Sequence, residues 1–170
     1  MGIISVLTPL ISVVASLVIW NLFILDYVHI LLGAIRTGED VFFGVIFRLI
    51  FRELSPDIRA SVAIRITPVT PFFVSTTSIL TPLVSYYLAI CKNVQDPTSG
   101  LFKWIFIVGI LFVVTCFLTV FPNSLLIARS GKTDDITLKR RLTWISNGAL
   151  IQLAFQIVII SLMAVIVVFH

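Results

Sequence analysis

The chain has 170 residues, of which 59% are hydrophobic and only 12% are charged, and its mean hydropathy is +1.14. A soluble domain has about a quarter charged residues, so this composition excludes a surface that faces water throughout. The net charge of +4 does not indicate nucleic-acid binding, because Lys and Arg cluster beside hydrophobic segments, where they set orientation in a bilayer. The sequence therefore predicts an all-α integral membrane protein with a single domain over residues 1–170.

Five hydrophobic segments predict a bundle of about five transmembrane helices, with a four-helix core preceded by an N-terminal segment. They cover residues 3–19, 20–51, 71–91, 101–128 and 142–169. Only Trp20-Asn21 offers a polar pause between the first two segments. We expect two spans joined tightly near residues 20–28, and the alternative is one span plus an interfacial helix.

Two basic segments predict the orientation in the cell membrane. They are expected to form loops over residues 52–65 and 129–141, with a turn and a helix start at Ser55-Pro56-Asp57 in the first. The two lie two spans apart and hence on one side, which the positive-inside rule makes cytoplasmic. The chain is then a multi-pass protein whose C-terminal residue, His170, lies outside.

The second segment carries a polar stripe. At helical spacing, one face of roughly 80° collects Asp26, His29, Gly33, Arg36, Asp40 and Gly44. Arg36 can pair with Asp40 at i, i+4 and with Glu39 at i, i+3, which predicts a buried ion pair. A charged side chain at the bilayer centre costs at least ~2.5–3.5 kcal/mol, so the stripe must face the bundle, a wet cavity or a partner subunit.

The stripe has a functional and a structural interpretation. His29 is a candidate haem or metal ligand, and Asp26, one turn away, can orient it or take part in proton transfer. Gly33 and Gly44 would let a flat ring or another backbone approach closely. The other histidine is terminal, so we do not expect two histidines of this chain to ligate one haem. In the structural interpretation, buried pairs hold the helices together.

Uncharged polar residues recur in two later segments. The third segment has Thr77, Ser78, Thr81 and Ser85 at helical spacing, and the fifth has Asn147, Gln152 and Gln156. The first group is expected to serve helix packing, and the second to form hydrogen bonds between helices. Gln152 and Gln156 can alternatively contact a quinone or cavity water.

The stretch YVHILLGAIRTGEDVFFG (27–44) resembles the opening helix of the copper-resistance-D-like and HemJ-type protoporphyrinogen-oxidase-like four-helix membrane proteins. The loop at 54–60 and the sequence LFKW at 101–104 extend this resemblance. It implies a four-helix core in which His29 and Lys103 face a haem or porphyrin, with haem b as the candidate cofactor. The candidate cofactor-binding residues are therefore His29, Asp26, Arg36 and Lys103.

Three functions are compatible with the sequence, and an enzymatic activity is left open. The first is a haem- or redox-linked membrane protein that serves as a small subunit of a membrane complex, in electron transport for example. The second is a cofactor-free accessory subunit whose polar stripe binds partner helices. The third is an ion or proton transporter, which at this length is expected to oligomerise. All three place the chain in a lipid bilayer with other membrane subunits, or copies of itself, as partners.

Overall fold

The computed structural model describes residues 2–66, 70–92, 100–130 and 134–169, with backbone only at positions 2–5, 130, 167 and 169. Every described element is a helix. The elements are α1 (Gly2–Ile19), α2 (Leu22–Val41), α3 (Phe47–Glu53), α4 (Pro56–Ile66), α5 (Thr70–Cys91), α6 (Gly100–Thr115), α7 (Phe121–Ser130) and α8 (Asp135–Phe169). A first π-helical turn, Phe42–Ile46, joins α2 to α3, and a second, Cys116–Val120, joins α6 to α7.

Local sequence explains where the helices start. Trp20 has a positive φ of 50°, which ends α1, and the Asn21 side chain accepts hydrogen bonds from the backbone N–H groups at the start of α2. The expected break near residues 20–28 therefore lies at Trp20-Asn21. Helix α4 starts at Pro56, as predicted, because proline suits the first turn. Before α8, the Thr137 N–H donates to the Asp134 carboxylate, which lowers the pKa of Asp134.

Both π-helical turns pack against α8. The second turn ends directly before Phe121-Pro122, and Pro122 lacks the N–H that a regular α-helical ladder needs there. In the first turn, the Gly44 carbonyl accepts a hydrogen bond of 3.1 Å from the Ser146 hydroxyl. π-Helical turns inside α-helices often mark functional sites, and these two flank the same stretch of α8.

Two apolar cores occupy opposite ends of the bundle. The α3–α4 core consists of Phe47, Phe51, Ala63, Val74, Cys116, Val120, Ile127, Leu138, Leu142 and Ile145. The α1–α2 core consists of Val13, Leu25, Val28, Leu32, Leu80, Val84 and Leu88. Leu32 is the last α2 residue of one core and Phe47 the first residue of the other, so the middle of the α2–α3 helix runs between them.

The number of spans is lower than predicted. Among the described residues, three helical stretches are long and apolar enough to cross a bilayer, namely Thr70–Cys91, Gly100–Arg129 and Asp135–Ile166. Helix α1 is apolar and has 18 residues, which rise about 27 Å, against a hydrocarbon core of about 30 Å. Helix α2 has 20 residues but is not among the three stretches, because it carries the charges of the polar stripe.

The two basic segments are mostly helical, and their prediction as loops was wrong. Residues 52–65 form the end of α3 and most of α4, while residues 129–141 include the end of α7 and the start of α8. Buried Arg59 explains the ordering of the first segment. Its guanidinium donates to the carbonyls of Phe51 and Leu54 at the end of α3, and to the Asp135 carboxylate at 2.8 Å. The orphan carbonyls of a helix end are thereby satisfied.

Candidate functional site

The most deeply buried charge in the described part of the chain is that of Arg36, in the middle of α2. Its side chain has no exposed surface, and it lies between two carboxylates of its own helix. Nη1 is 3.0 Å from Glu39 Oε2, and Nη2 is 2.9 Å from Asp40 Oδ1. Helical spacing accounts for both contacts, because residues three and four positions ahead lie on the same face as Arg36.

Three other helices complete this site. From α5, the Thr77 hydroxyl lies 3.1 Å from Glu39 Oε2, and 3.0 Å from the Phe73 and Val74 carbonyls of its own helix. From α8, Gln152 Oε1 accepts a hydrogen bond from Arg36, while Gln152 Nε2 donates to the Phe112 carbonyl of α6 at 3.2 Å. The Phe112 ring lies under the guanidinium, 5.0 Å from Cζ. We call the set Arg36, Glu39, Asp40, Thr77, Phe112 and Gln152 the arginine cluster.

The arginine cluster has more acidic than basic groups. One guanidinium faces two carboxyl groups, so the three side chains carry a formal charge of −1 when all are ionised. Two buried atoms, Asp40 Oδ2 and Arg36 Nε, have no hydrogen-bond partner among the described residues. A buried charge costs free energy unless it is paired and hydrogen-bonded. The carboxylate of Asp40, with one oxygen unpartnered among the described residues, is therefore the least stabilised charge of the cluster.

One carboxyl of the cluster lines a cavity. This cavity has a volume of about 350 Å³ and lies beside the junction of α2, α4 and α5. It is lined by Glu39, Phe43, Arg65, Ile66, Thr70, Phe73 and Val74. Glu39 is 10% exposed, whereas Asp40 is only 2% exposed. Glu39 therefore connects the sealed interior to a cavity whose lining includes the exposed Arg65.

The other ionisable groups of the polar stripe lie apart from the cluster. His29 is two turns from Arg36 and faces α5, where its Nδ1 is 3.2 Å from the Ser85 hydroxyl. Asp26 lies one turn further, 3.6 Å from Lys92 Nζ at the end of α5. Both members of that pair are about half exposed, at 40% and 47%. The polar stripe thus has a buried part around Arg36 and a half-exposed part around Asp26.

The structure does not bring the four candidate cofactor-binding residues together. Arg36 is engaged in the arginine cluster, His29 contacts α5, and Asp26 pairs with Lys92. Lys103 is exposed in the first turn of α6. Among the described residues, no three His, Cys, Asp or Glu side chains are grouped so that they could hold a metal ion. His170 lies outside the described residues.

The sequence only partly indicated the partners of Arg36. Gln152 was expected to form hydrogen bonds between helices, and it does so with both α2 and α6. Thr77 was expected to serve helix packing, and its hydroxyl also lies within hydrogen-bond distance of Glu39. The contribution of Phe112 was missed, because a phenylalanine in an apolar run has no pattern that separates it from its neighbours. The contact between Asp26 and Lys92 was likewise missed.

Comparisons of the chain with models of protein families, with curated proteins and with solved structures find no match. Its function is therefore inferred from its own residues and their contacts.

Proposed function

We propose that the protein is an integral membrane protein that transfers protons across the bilayer, with the arginine cluster as the exchange site. The observation that carries the proposal is the surplus carboxyl at Arg36, together with the access of one of the two acids, Glu39, to a cavity. In an interior without water, one proton shared by Glu39 and Asp40 neutralises the formal charge of the cluster. Such paired carboxyls bind and release one proton as a unit.

Energetic cost also supports a functional role for the cluster. Replacing a buried ion pair by apolar residues of similar volume is often neutral or stabilising, so a purely structural contact needs no charge here. Ionisable groups inside a membrane commonly mark ion or proton pathways. A structural ion pair needs only one acid and one base. The additional carboxyl of Glu39 in the cavity lining supplies the group that a proton-exchange site requires.

The proposed orientation puts the cavity on the cytoplasmic side of the cell membrane. Arg65 lies in its lining, and the neighbouring ends of the helices carry the basic residues of segments 52–65 and 129–141. The positive-inside rule assigns such ends to the cytoplasm. Protons then reach Glu39 from the cytoplasmic side, while Asp40 and Arg36 lie deeper in the bundle. The exposed apolar faces of the helices contact lipid or a second copy of the chain.

The purified full chain in liposomes tests this function. Proton flux is measured with an entrapped pH-sensitive dye under a potassium diffusion potential. Removal of an acid–base group typically costs on the order of 100-fold or more in rate, so Glu39→Gln and Asp40→Asn should each reduce the flux by that order. Asp57→Asn, at an exposed acid in the first turn of α4, is the matched control and should conduct like the wild type.

Two results would sink the proposal. One is a wild-type flux no larger than that of empty liposomes. The other is wild-type flux in both Glu39→Gln and Asp40→Asn. A chain that conducts nothing and co-purifies with other membrane subunits would instead be a cofactor-free accessory subunit of a larger assembly.

A second candidate function, haem-linked electron transfer, is favoured by the surroundings of His29. Ligating histidines commonly bond their second ring nitrogen to a neighbouring polar group, as Nδ1 does with Ser85 here. Haem b held by His29 would supply a one-electron redox centre, with Asp26 one turn away. A Soret band in the purified protein that disappears in His29→Ala would support this function. Its absence after expression with excess haem would exclude it.

A further inference from the structure

The hydrogen bonds around His29 favour one of its two neutral tautomers. Ser85 Oγ lies 3.0 Å from the Thr81 carbonyl and 3.2 Å from His29 Nδ1. A carbonyl oxygen only accepts, so we assign the single hydroxyl proton of Ser85 to its shorter hydrogen bond, the one to Thr81. Ser85 Oγ must then accept from His29, which requires a proton on Nδ1. In the neutral imidazole, Nε2 consequently carries the lone pair.

This tautomer suits reversible proton uptake. When Nε2 accepts a proton, Nδ1 keeps its own proton and its hydrogen bond to Ser85. The ring therefore changes charge without a change of partner on the α5 side, and the loss of the same proton restores the starting state. The charged groups that act on the ring are Asp26 on its own helix and Lys92 at the end of α5. They face each other at 3.6 Å and offset each other's charge.

Between His29 and the arginine cluster, α2 is open at Gly33, which is half-buried. A Cβ placed on Gly33 would meet nothing within 4 Å, outside its own helix and chain neighbours. Gln156, one turn beyond Gln152 on α8, is buried, and its Oε1 has no partner among the described residues. His29 and Arg36 are seven residues apart, a rise of about 10 Å. A buried amide without a partner for its oxygen and a half-buried glycine thus lie near the stretch that separates the cluster from His29.

We propose that His29 is a second proton-exchange group, on the side of the bundle opposite the cavity, which takes up and releases protons at Nε2. The proposal rests on proton transfer as the function of the chain. In the transfer step, hydronium gives its proton to Nε2, leaving water and an imidazolium. The reverse step returns the proton to water, so no other reactant is needed. Glu39 then serves one side of the membrane and His29 the other.

Nitrogen NMR of histidine-labelled protein tests the tautomer independently of transport. The chain has two histidines, so His170→Gln leaves the signals of His29 alone. We expect a proton on Nδ1 and a bare Nε2 in the neutral form of the full chain in bilayers, and a mixture of both tautomers in Ser85→Ala. A proton on Nε2 in the neutral form would overturn the proposal. A Soret band that requires His29 would overturn it as well, because iron would then occupy the lone pair.

Flux measurements test the role of the group. His29→Gln should reduce proton flux by about 100-fold, while the His170→Gln control keeps it. The amide of Gln can still donate to Ser85, so a folded variant is expected, and elution as the wild-type species checks this. Unchanged flux in His29→Gln, alongside reduced flux in Glu39→Gln, would refute the role of His29 and leave the proposed function intact. Unchanged flux in Asp40→Asn and Glu39→Gln would refute both.

Discussion

The two ends of α2 carry similar ionisable side chains but differ sharply in their surroundings. At one end Arg36 has no exposed surface and Asp40 almost none. At the other end Asp26 and Lys92 are about half exposed, although Asp26 lies on the same predicted stripe. Their ion pair is also longer, at 3.6 Å against 2.9 Å. The same helical face therefore holds a sealed charge and an accessible one.

The neighbouring helices account for this difference. Around the arginine cluster, α8 contributes Gln152. A Cβ added to Gly44 would lie 3.1 Å from Leu150, and one added to Gly148 would overlap Thr119, so α8 fits closely against both π-helical turns. The α1–α2 core contains residues of α1, α2 and α5 only. Farther along α8, Ile157 and Ile160 are exposed. Charge burial in this bundle thus depends on whether α8 closes over α2, which the periodicity of α2 alone does not reveal.

The largest expected effect comes from removing the sealed cation. Arg36→Met leaves two buried carboxyl groups without their common partner, and breaking a buried pair typically costs about 3–5 kcal/mol. Arg48→Met is the matched control, because Arg48 is exposed and its guanidinium donates a hydrogen bond of 3.3 Å to Asn147. The free energy of unfolding in mixed micelles measures both. Equal losses in the two variants would mean that the arginine cluster is hydrated and not sealed.

Close packing of α8 predicts the next effect. A Cβ on Gly148 would overlap the Thr119 hydroxyl and lie 2.7 Å from Thr119 Cβ, which is too close to the backbone to swing away. Gly148→Ala should therefore lower the free energy of unfolding by about 1–3 kcal/mol, as overpacking does. Gly33→Ala, at the open position of α2, should raise it by about 0.5–1 kcal/mol through helix propensity. A stable Gly148→Ala variant would contradict the tight contact between α8 and the second π-helical turn.

Loss of the α8 amide should have an effect of similar size. Gln152→Leu removes one hydrogen bond to Arg36 and one to the Phe112 carbonyl, and unsatisfied buried groups cost about 1–3 kcal/mol. Gln156→Leu is the control one turn away, where Oε1 has no partner among the described residues. We expect that control to be neutral or stabilising in the same unfolding assay. A larger loss of unfolding free energy in Gln156→Leu than in Gln152→Leu would contradict the assignment of Gln152 as the stabilising amide.

Much of the helical framework follows from the sequence, since local signals carry it. The start of α4 at Pro56 and the break at Asn21 depend on neighbouring residues, and both were predicted. The hydrogen bonds that tie segment 52–65 to α3 and α8 were not predicted, because they depend on Arg59, whose partner Asp135 is 76 positions away. The two π-helical turns were not predicted either, as their fit against α8 involves residues a hundred positions apart in the case of Gly44 and Ser146.

The candidate site shows the same limit. Periodicity groups Arg36, Glu39 and Asp40 correctly on one side of α2, because i, i+3 and i, i+4 spacing is local. It also groups Asp26 and His29 with them, although α5 and not α8 supplies the partners of those two residues. Which helix faces each turn of α2 is a property of tertiary packing, and one sequence contains no direct signal for it.

The smallest effect is expected at the half-open end. The Asp26–Lys92 pair spans 3.6 Å with both side chains about half exposed, and exposed pairs contribute about 0.2–1 kcal/mol. A double-mutant cycle with Asp26→Asn and Lys92→Gln should give a coupling energy in that range. The coupling should vanish at about 1 M salt, where the screening length falls to about 3 Å. A coupling that survives such salt would mean that this end is also shielded from water, by lipid or by a second copy of the chain. In that case the contrast between the two ends of α2 would belong to the isolated chain and not to its assembly in the membrane.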